Sequence, residues 1–171
     1  MKKTLFFSLF LITLGTYAQS KHEVKWNIAN TIAFASAEIG YEYLFDENQS
    51  VGAELLINDT YNLSIGRQVK DFNTNSFQLT YSYYVNGHNS SFVISPMLKF
   101  RTGDYQKTAS DPKIDMDSFI LGIQMGYKWI LNDKFTFGPY GSIGRNFSDK
   151  VNDEFDTAVE FHAGFGIGYR F

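Results

Sequence analysis

From Thr157 to Phe171 the chain alternates with a period of two. Odd positions read Thr157, Val159, Phe161, Ala163, Phe165, Ile167, Tyr169 and Phe171; even positions read Ala158, Glu160, His162, Gly164, Gly166, Gly168 and Arg170. Successive side chains on a strand point to opposite faces. One face is therefore apolar and aromatic, and the other is small or charged. The same period recurs upstream. Phe119, Leu121, Ile123, Met125, Tyr127 and Trp129 oppose Gly122, Gln124, Gly126 and Lys128. Phe135 and Phe137 begin a strand that runs to about Phe147. Pro139 lacks a ladder N–H, so that strand needs a bulge there and its later phase stays open. Phe92, Ile94, Leu98 and Phe100 oppose Ser95, Lys99 and Arg101, and Phe77, Leu79, Tyr81, Tyr83 and Val85 share another apolar face. Ile39, Tyr41, Tyr43 and Phe45 oppose Glu38, Gly40 and Glu42. Val51, Ala53, Leu55 and Ile57 oppose Gly52, Glu54 and Asn58. Val24–Ala33 reads as the first strand.

The connections alternate in length. Asp46–Ser50, Asn86–Ser90 and Asn132–Lys134 are short and polar; Asn58–Asn75, Thr102–Ser118 and Ser148–Asp156 are longer. Asn86-Gly87 is a hairpin turn signal. Short and long connections in alternation predict an up-and-down barrel. Tyr61, Leu63 and Ile65 continue the phase of Val51–Ile57. Residues 61–66 read either as the same strand rising into its loop, which gives eight strands, or as a ninth. The preferred reading is an all-β, eight-stranded antiparallel transmembrane β-barrel with both termini at the short-turn end.

Composition sharpens this. Seventeen Phe, 11 Tyr and 2 Trp make 18% of the chain, while mean hydropathy is slightly negative. Abundant aromatics at middling hydropathy suit strands that alternate between lipid and a polar lumen. In hydrocarbon every backbone N–H and C=O must be bonded internally, so strands cross only as a closed sheet. A soluble barrel of the lipocalin kind is the alternative fold. It would put the aromatics inside, so the exposure of Phe161, Phe165 and Tyr169 decides between them.

Lys2 and Lys3, the apolar run Leu5–Leu14, and small residues at Thr16 and Ala18 have the layout of a secretory signal peptide. The run is too short for a spanning helix, which needs about 20 apolar residues. Cleavage after Ala18 would divide the chain into residues 1–18, a signal, and 19–171, the barrel. It would also carry the formal charge from −3 to −5. The acidic balance argues against a nucleic-acid partner. With no cysteine there is no disulfide framework, thiolate metal site or cysteine nucleophile.

On this phase Glu38, Glu42, Glu54, Lys99, Arg101, Lys128, Glu160, His162 and Arg170 face the lumen. An eight-strand interior is just wide enough for side chains to fill it, so the bland reading is a plug of ion pairs. The sharper one is a polar path for protons or small ions. His22 reads as a solvated tail residue and His88 as part of a turn. His162 shares a face with Glu160, a pairing that suits a catalytic base, but no Ser is forced next to it and no His-x-Ser-Asn motif occurs. No catalytic residue, cofactor or metal ligand is assigned, since the histidines lack ligand spacing. Asp104, Asp111, Asp115 and Asp117, and Asp149, Asp153, Glu154 and Asp156, make two loops acidic. They read as solvated surface or, less simply, as a site for a divalent cation shared with lipopolysaccharide. Asp115 and Asp117 lack the Gly and the closing Glu of a calcium loop. Gly164-Phe165-Gly166-Ile167-Gly168 lacks the context of a dinucleotide fingerprint.

From Lys25 to Phe171 the sequence resembles the small bacterial outer-membrane β-barrels of the OmpA/OmpX type. The likeness is carried by Ala18-Gln19, Gly40-Tyr41-Glu42-Tyr43, Gly126-Tyr127-Lys128-Trp129 and Gly168-Tyr169-Arg170-Phe171. Phe165, Ile167, Tyr169 and the terminal Phe171 resemble the C-terminal signal that such barrels present to their assembly machinery. The resemblance implies a monomer in the outer membrane among lipid and lipopolysaccharide. It implies a structural or surface-contact role more often than an enzyme, with a narrow channel or a lipid A-modifying barrel as alternatives.

Overall fold

Eight long strands follow one another around a closed wall: β1 (His22–Asn27), β2 (Ala37–Leu44), β3 (Gln49–Ile57), β4 (Phe72–Tyr84), β5 (Ser91–Tyr105), β6 (Ser118–Leu131), β7 (Phe135–Asn146) and β8 (Val159–Arg170). The computed structural model describes residues 21–34, 36–60, 72–108 and 110–171. The segment read as a signal and residues 61–66 lie outside the described residues. Each strand pairs antiparallel with its neighbours in sequence, and β1 pairs with β8 to close the wall. A two-residue strand, Ile114–Asp115, extends the sheet beyond the end of β5.

The register fixes the barrel's shape. Starting at Phe119 and stepping across paired residues leads through Phe100, Phe77, Leu55, Ile39, Trp26, Ile167 and Phe137 to Trp129, back on β6 and ten residues further along. A stagger of ten over eight strands gives a tilt of about 40° at ordinary strand spacings.

The faces are those of a membrane barrel. Phe161, Phe165 and Tyr169 are 52%, 37% and 41% exposed, whereas Glu160 and Arg170 on the opposite face are buried. The exterior is an apolar and aromatic belt and the interior is charged, the inverse of a soluble barrel. The β6–β7 turn is tight because Asn132 and Asp133 both adopt positive φ, 53° and 58°, as a two-residue hairpin requires.

Three expectations fail. Pro139 makes no bulge: Gly126–Tyr140 and Trp129–Phe137 keep one register across it, so the phase is unbroken to Asn146. Its ring takes an outward position, and Gly138 beside it lets the strands close up. A Cβ there would lie 1.8 Å from the Tyr127 carbonyl oxygen. His22 is no tail residue: it begins β1, its Nδ1 lies 2.5 Å from the Tyr41 hydroxyl, and its ring stacks on Phe171. The first strand also stops at Asn27. Residues Ile28–Phe34 are a helix, α1, set against β2 and β8. Ile28 and Ile32 suit both periods, so the alternation there carried no decision between strand and helix.

The long connections are folded as well. β4 begins at Phe72 and β5 runs to Tyr105, both well into the segments expected to be loops. A second short helix, α2 (Asp149–Phe155), follows β7. Phe72, Tyr105, Met116 and Val151 are buried together, with Ile114 and Phe155 packed against them. Phe72 and Tyr105 stand 4.7 Å apart, centroid to centroid. This apolar cap lies across the long-loop end.

Candidate functional site in the barrel lumen

The lumen is filled in layers. At the short-turn end Glu23 accepts hydrogen bonds from Lys128 (3.0 Å), Thr136 (2.8 Å) and Arg170 (2.8 Å). Glu42 pairs with Lys128 (3.0 Å) and Lys25 (3.2 Å) and accepts from the Ser50 and Tyr84 hydroxyls. Lys25 also reaches Glu54 at 2.9 Å. Arg170 donates to the His88 carbonyl at 2.6 Å, tying the second turn to the last strand.

Towards the long-loop end a second layer forms. One oxygen of Asp59 accepts from Arg101 (3.0 and 2.9 Å) and Lys99 (3.2 Å), and also from Ser76. Glu160 accepts from Arg101 at 2.9 Å and also from Lys99. All four charged side chains are almost wholly buried. Desolvation offsets much of the attraction in such pairs, so they contribute more to fixing one arrangement than to net stability. A cavity of about 90 Å³, lined by Lys25, Glu38, Glu54, Gln124, Lys128 and Tyr140, lies inside the lumen. Its size suits a few waters.

A third cluster stands behind α1. Glu38 on β2 accepts from Asn27 (2.7 Å), from Asn30 of α1 (2.7 Å) and from Tyr140 of β7 (2.8 Å), and lies 3.2 Å from His162 of β8. Asn30 is also 3.2 Å from His162. Gly164 makes the room: a Cβ there would meet the Asn27 amide at 2.2 Å. Contrary to the sequence reading, a serine does neighbour His162. Ser142 is its paired residue on β7, on the same face of the sheet. Pairing across strands is invisible to a motif search along the chain.

Glu38, Glu42, Glu54, Lys99, Arg101, Lys128, Glu160, His162 and Arg170 thus divide among these three layers. Sequence reasoning missed Glu23, Lys25, Asn27, Asn30, Asp59, Tyr84 and Tyr140. Glu23, Lys25 and Tyr84 follow from extending the strand phase by a few residues. Asp59 and Asn30 had no signal, since one lies past the end of a strand and the other is on an unexpected helix. Among the described residues of the lumen, six carboxylates (Glu23, Glu38, Glu42, Glu54, Asp59 and Glu160) face five permanent cations (Lys25, Lys99, Arg101, Lys128 and Arg170). His162 in its charged form supplies the sixth.

The acidic loops hold ion pairs: Lys113 with Asp104 at 3.0 Å and Lys150 with Asp115 at 2.9 Å. Among the described residues no group of three or more His, Asp or Glu is placed to hold a metal ion.

Two solved structures share the fold. The N-terminal β-barrel domain of Pseudomonas aeruginosa OprF is 14% identical, with a TM-score of 0.62 over 91% of this chain and 100% of that one. Neisserial surface protein A (NspA) is 12% identical, with a TM-score of 0.52 over 88% and 93%. No curated protein matches the chain. Residues 4–164, nearly the whole chain, match the family described as "Protein of unknown function (DUF3575)", and the chain belongs to that family.

Proposed function

We propose that the protein is an integral outer-membrane barrel that conducts nothing through its lumen, performs no chemistry of its own, and holds a folded cap at the cell surface. The observation that carries this is the double closure at the long-loop end. The Asp59–Lys99–Arg101–Glu160 layer fills the lumen there, and the apolar cap of Phe72, Tyr105, Met116 and Val151 lies buried beyond it. An ion passing through would have to part buried pairs and then cross an apolar plug. In barrels of this class short turns face the periplasm and long loops face outward, so the cap with its Asp115 and Lys150 surface is the part that meets lipopolysaccharide or another surface partner. The exposed apolar face of β8, ending at Phe165, Ile167, Tyr169 and Phe171, supports the assembly role of that strand. Phe171 donates its N–H to the His22 carbonyl at 2.9 Å and so completes the β1–β8 seam.

Planar-bilayer recording tests the reading. Purified protein should give no conductance steps above background, while showing the heat-modifiable gel mobility of a folded barrel. Reproducible unitary steps would remove it in favour of a narrow channel. Recovery of the mature chain in soluble periplasm would remove the membrane assignment altogether.

A further inference from the structure

Among the described residues, the strand ladder of the wall is interrupted at α1. The β1–β8 ladder ends at Asn27–Gly166 and the β1–β2 ladder at Trp26–Ile39. Beyond that point β8 continues from Phe165 to Val159, about 23 Å along the strand. The tops of β6 and β7, at Ser118 and Asn146, belong to the same high rim. The wall is therefore notched through the half nearer the long loops, and α1 fills the notch. Ile32 at the outer face of α1 is 80% exposed, on the side of the apolar belt.

A helix spends its backbone N–H and C=O groups on its own i to i−4 bonds. A strand in a barrel spends them on its neighbours, which is why barrel walls do not part. α1 can thus shift without breaking its own backbone bonds. Among the described residues, side chains on both faces anchor it. Asn30 reaches Glu38 and His162 on the lumen side. On the lipid side the Trp26 indole N–H donates to Thr31 Oγ1 at 2.9 Å. Directly behind it stand Glu38 and His162, and Ser142 is the residue paired with His162 on β7. Glu38 already accepts from two amides and a phenol, so it is a carboxylate set to receive donors.

We propose that α1 is a side door from the outer leaflet, through which the head of a lipid-like amphiphile reaches Glu38, His162 and Ser142. The head carries hydroxyl or amine donors that replace Asn30 on Glu38, while the tail stays in the bilayer. This rests on the membrane reading above and is independent of whether the lumen conducts.

The chain has no cysteine, so single thiols report access cleanly. Ser142→Cys protein in phospholipid vesicles is treated with a membrane-partitioned alkyl maleimide or with a charged, water-soluble one. The alkyl reagent should label it, at least tenfold faster when Asn30→Ala or the milder Thr31→Val is added. The charged reagent should lag in all variants. Ser95→Cys, buried across the lumen, should stay unlabelled. An amphiphile with a hydroxyl head, such as dodecanol, should slow labelling, and an equal amount of dodecane should not. No labelling of Ser142→Cys, equal labelling by the charged reagent, equal labelling at Ser95→Cys, or rates indifferent to both α1 substitutions would each overturn the side door. So would slowing by dodecane as great as by dodecanol. Flotation with the vesicles and heat-modifiable mobility, checked on every variant, report a failed membrane reading separately.

Discussion

Two polar layers occupy the outer half of the same lumen, and they are built from different materials. Asp59, Lys99, Arg101 and Glu160 are full charges held between two strands, β5 and β8, and the segment after β3. They are covered by the apolar cap and shut away from water. Glu38, Asn27, Asn30, Tyr140 and His162 are one carboxylate among amides, a phenol and an imidazole, and one member sits on a helix. Glu160 and His162 are two residues apart on one face of β8, so the layers touch. The first is rigid because each ion, once buried, requires its partners. The second sets one carboxylate among amides, a phenol and an imidazole, and exchanging a neutral donor such as Asn30 leaves no ion without a partner. One strand face therefore contributes Glu160 to the first layer and His162 to the second.

The comparison breaks most visibly at Arg101. Removing one partner of a buried ionic group leaves the others uncompensated, at a cost of about 3–5 kcal/mol. Arg101→Ala leaves Asp59 and Glu160 to share Lys99. Urea unfolding in detergent micelles, followed by the gel shift of the folded barrel, should show a loss of that order. A loss below about 1 kcal/mol would mean that water already reaches this layer. The same variant is the best candidate to admit ions, so its bilayer recording against wild type sharpens the proposed closure.

The cap above the charged layer is the next place to press. Met116 is fully buried there, and truncation of a buried methionine costs about 2–5 kcal/mol. Because Met116 itself lies between strands, while Phe72 and Tyr105 are held by their own pairing, Met116→Ala should loosen the cap and leave the ladder intact. Limited proteolysis should then cut within residues 106–117 while the gel shift of the barrel is kept. Cleavage no faster than in wild type would mean that the ladder, and not the cap core, holds these loops.

The second layer should yield more gently. Glu38→Gln keeps the shape but turns part of the acceptor into a donor among donors, a change of about 1–3 kcal/mol. Amide exchange in α1 should rise, with little change in β4–β6. If β4–β6 loosen equally, the cluster behaves as part of the global fold and the contrast between the two layers fails.

Strand faces were legible in the sequence because alternation is a local property. The nine charged residues that the alternation put on one face are buried or half-buried, and the short turns fall where Asp46, Asn86–Gly87 and Asn132 mark them. What was not legible depends on the stagger of the barrel. A shift of ten residues around the wall decides that Arg101 meets Glu160 and Asp59, and that Glu38 meets His162, 124 positions away. No local pattern carries that number. The cap was hidden for a related reason. Phe72, Tyr105, Met116 and Val151 are isolated apolar residues in polar stretches, and only the closed barrel brings them together. At α1, seven residues were too few to separate a period of two from one of 3.6.

The smallest effect belongs to the surface of the cap, and it marks where burial stops mattering. Asp115 accepts the Asp117 backbone N–H at 3.0 Å and the Lys150 ammonium at 2.9 Å. These two contacts, in that order of weight, hold its carboxyl below the ordinary aspartate range. A carboxyl whose folded pKa is depressed contributes stability above its unfolded pKa and loses it as pH falls through the folded value. The contribution is therefore complete at neutral pH and disappears only in acid. Both side chains are solvent-exposed, so screening reduces it further, and Lys150→Ala should leave the unfolding midpoint unmoved at pH 7. The titration itself should still respond. Followed by NMR at the Asp115 carboxyl, its midpoint should rise in Lys150→Ala but stop short of the ordinary value, because the Asp117 N–H remains. A midpoint unchanged by the substitution would show that the lysine does not hold the carboxylate in solution, and that α2 is tied to the preceding loop by the apolar cap alone.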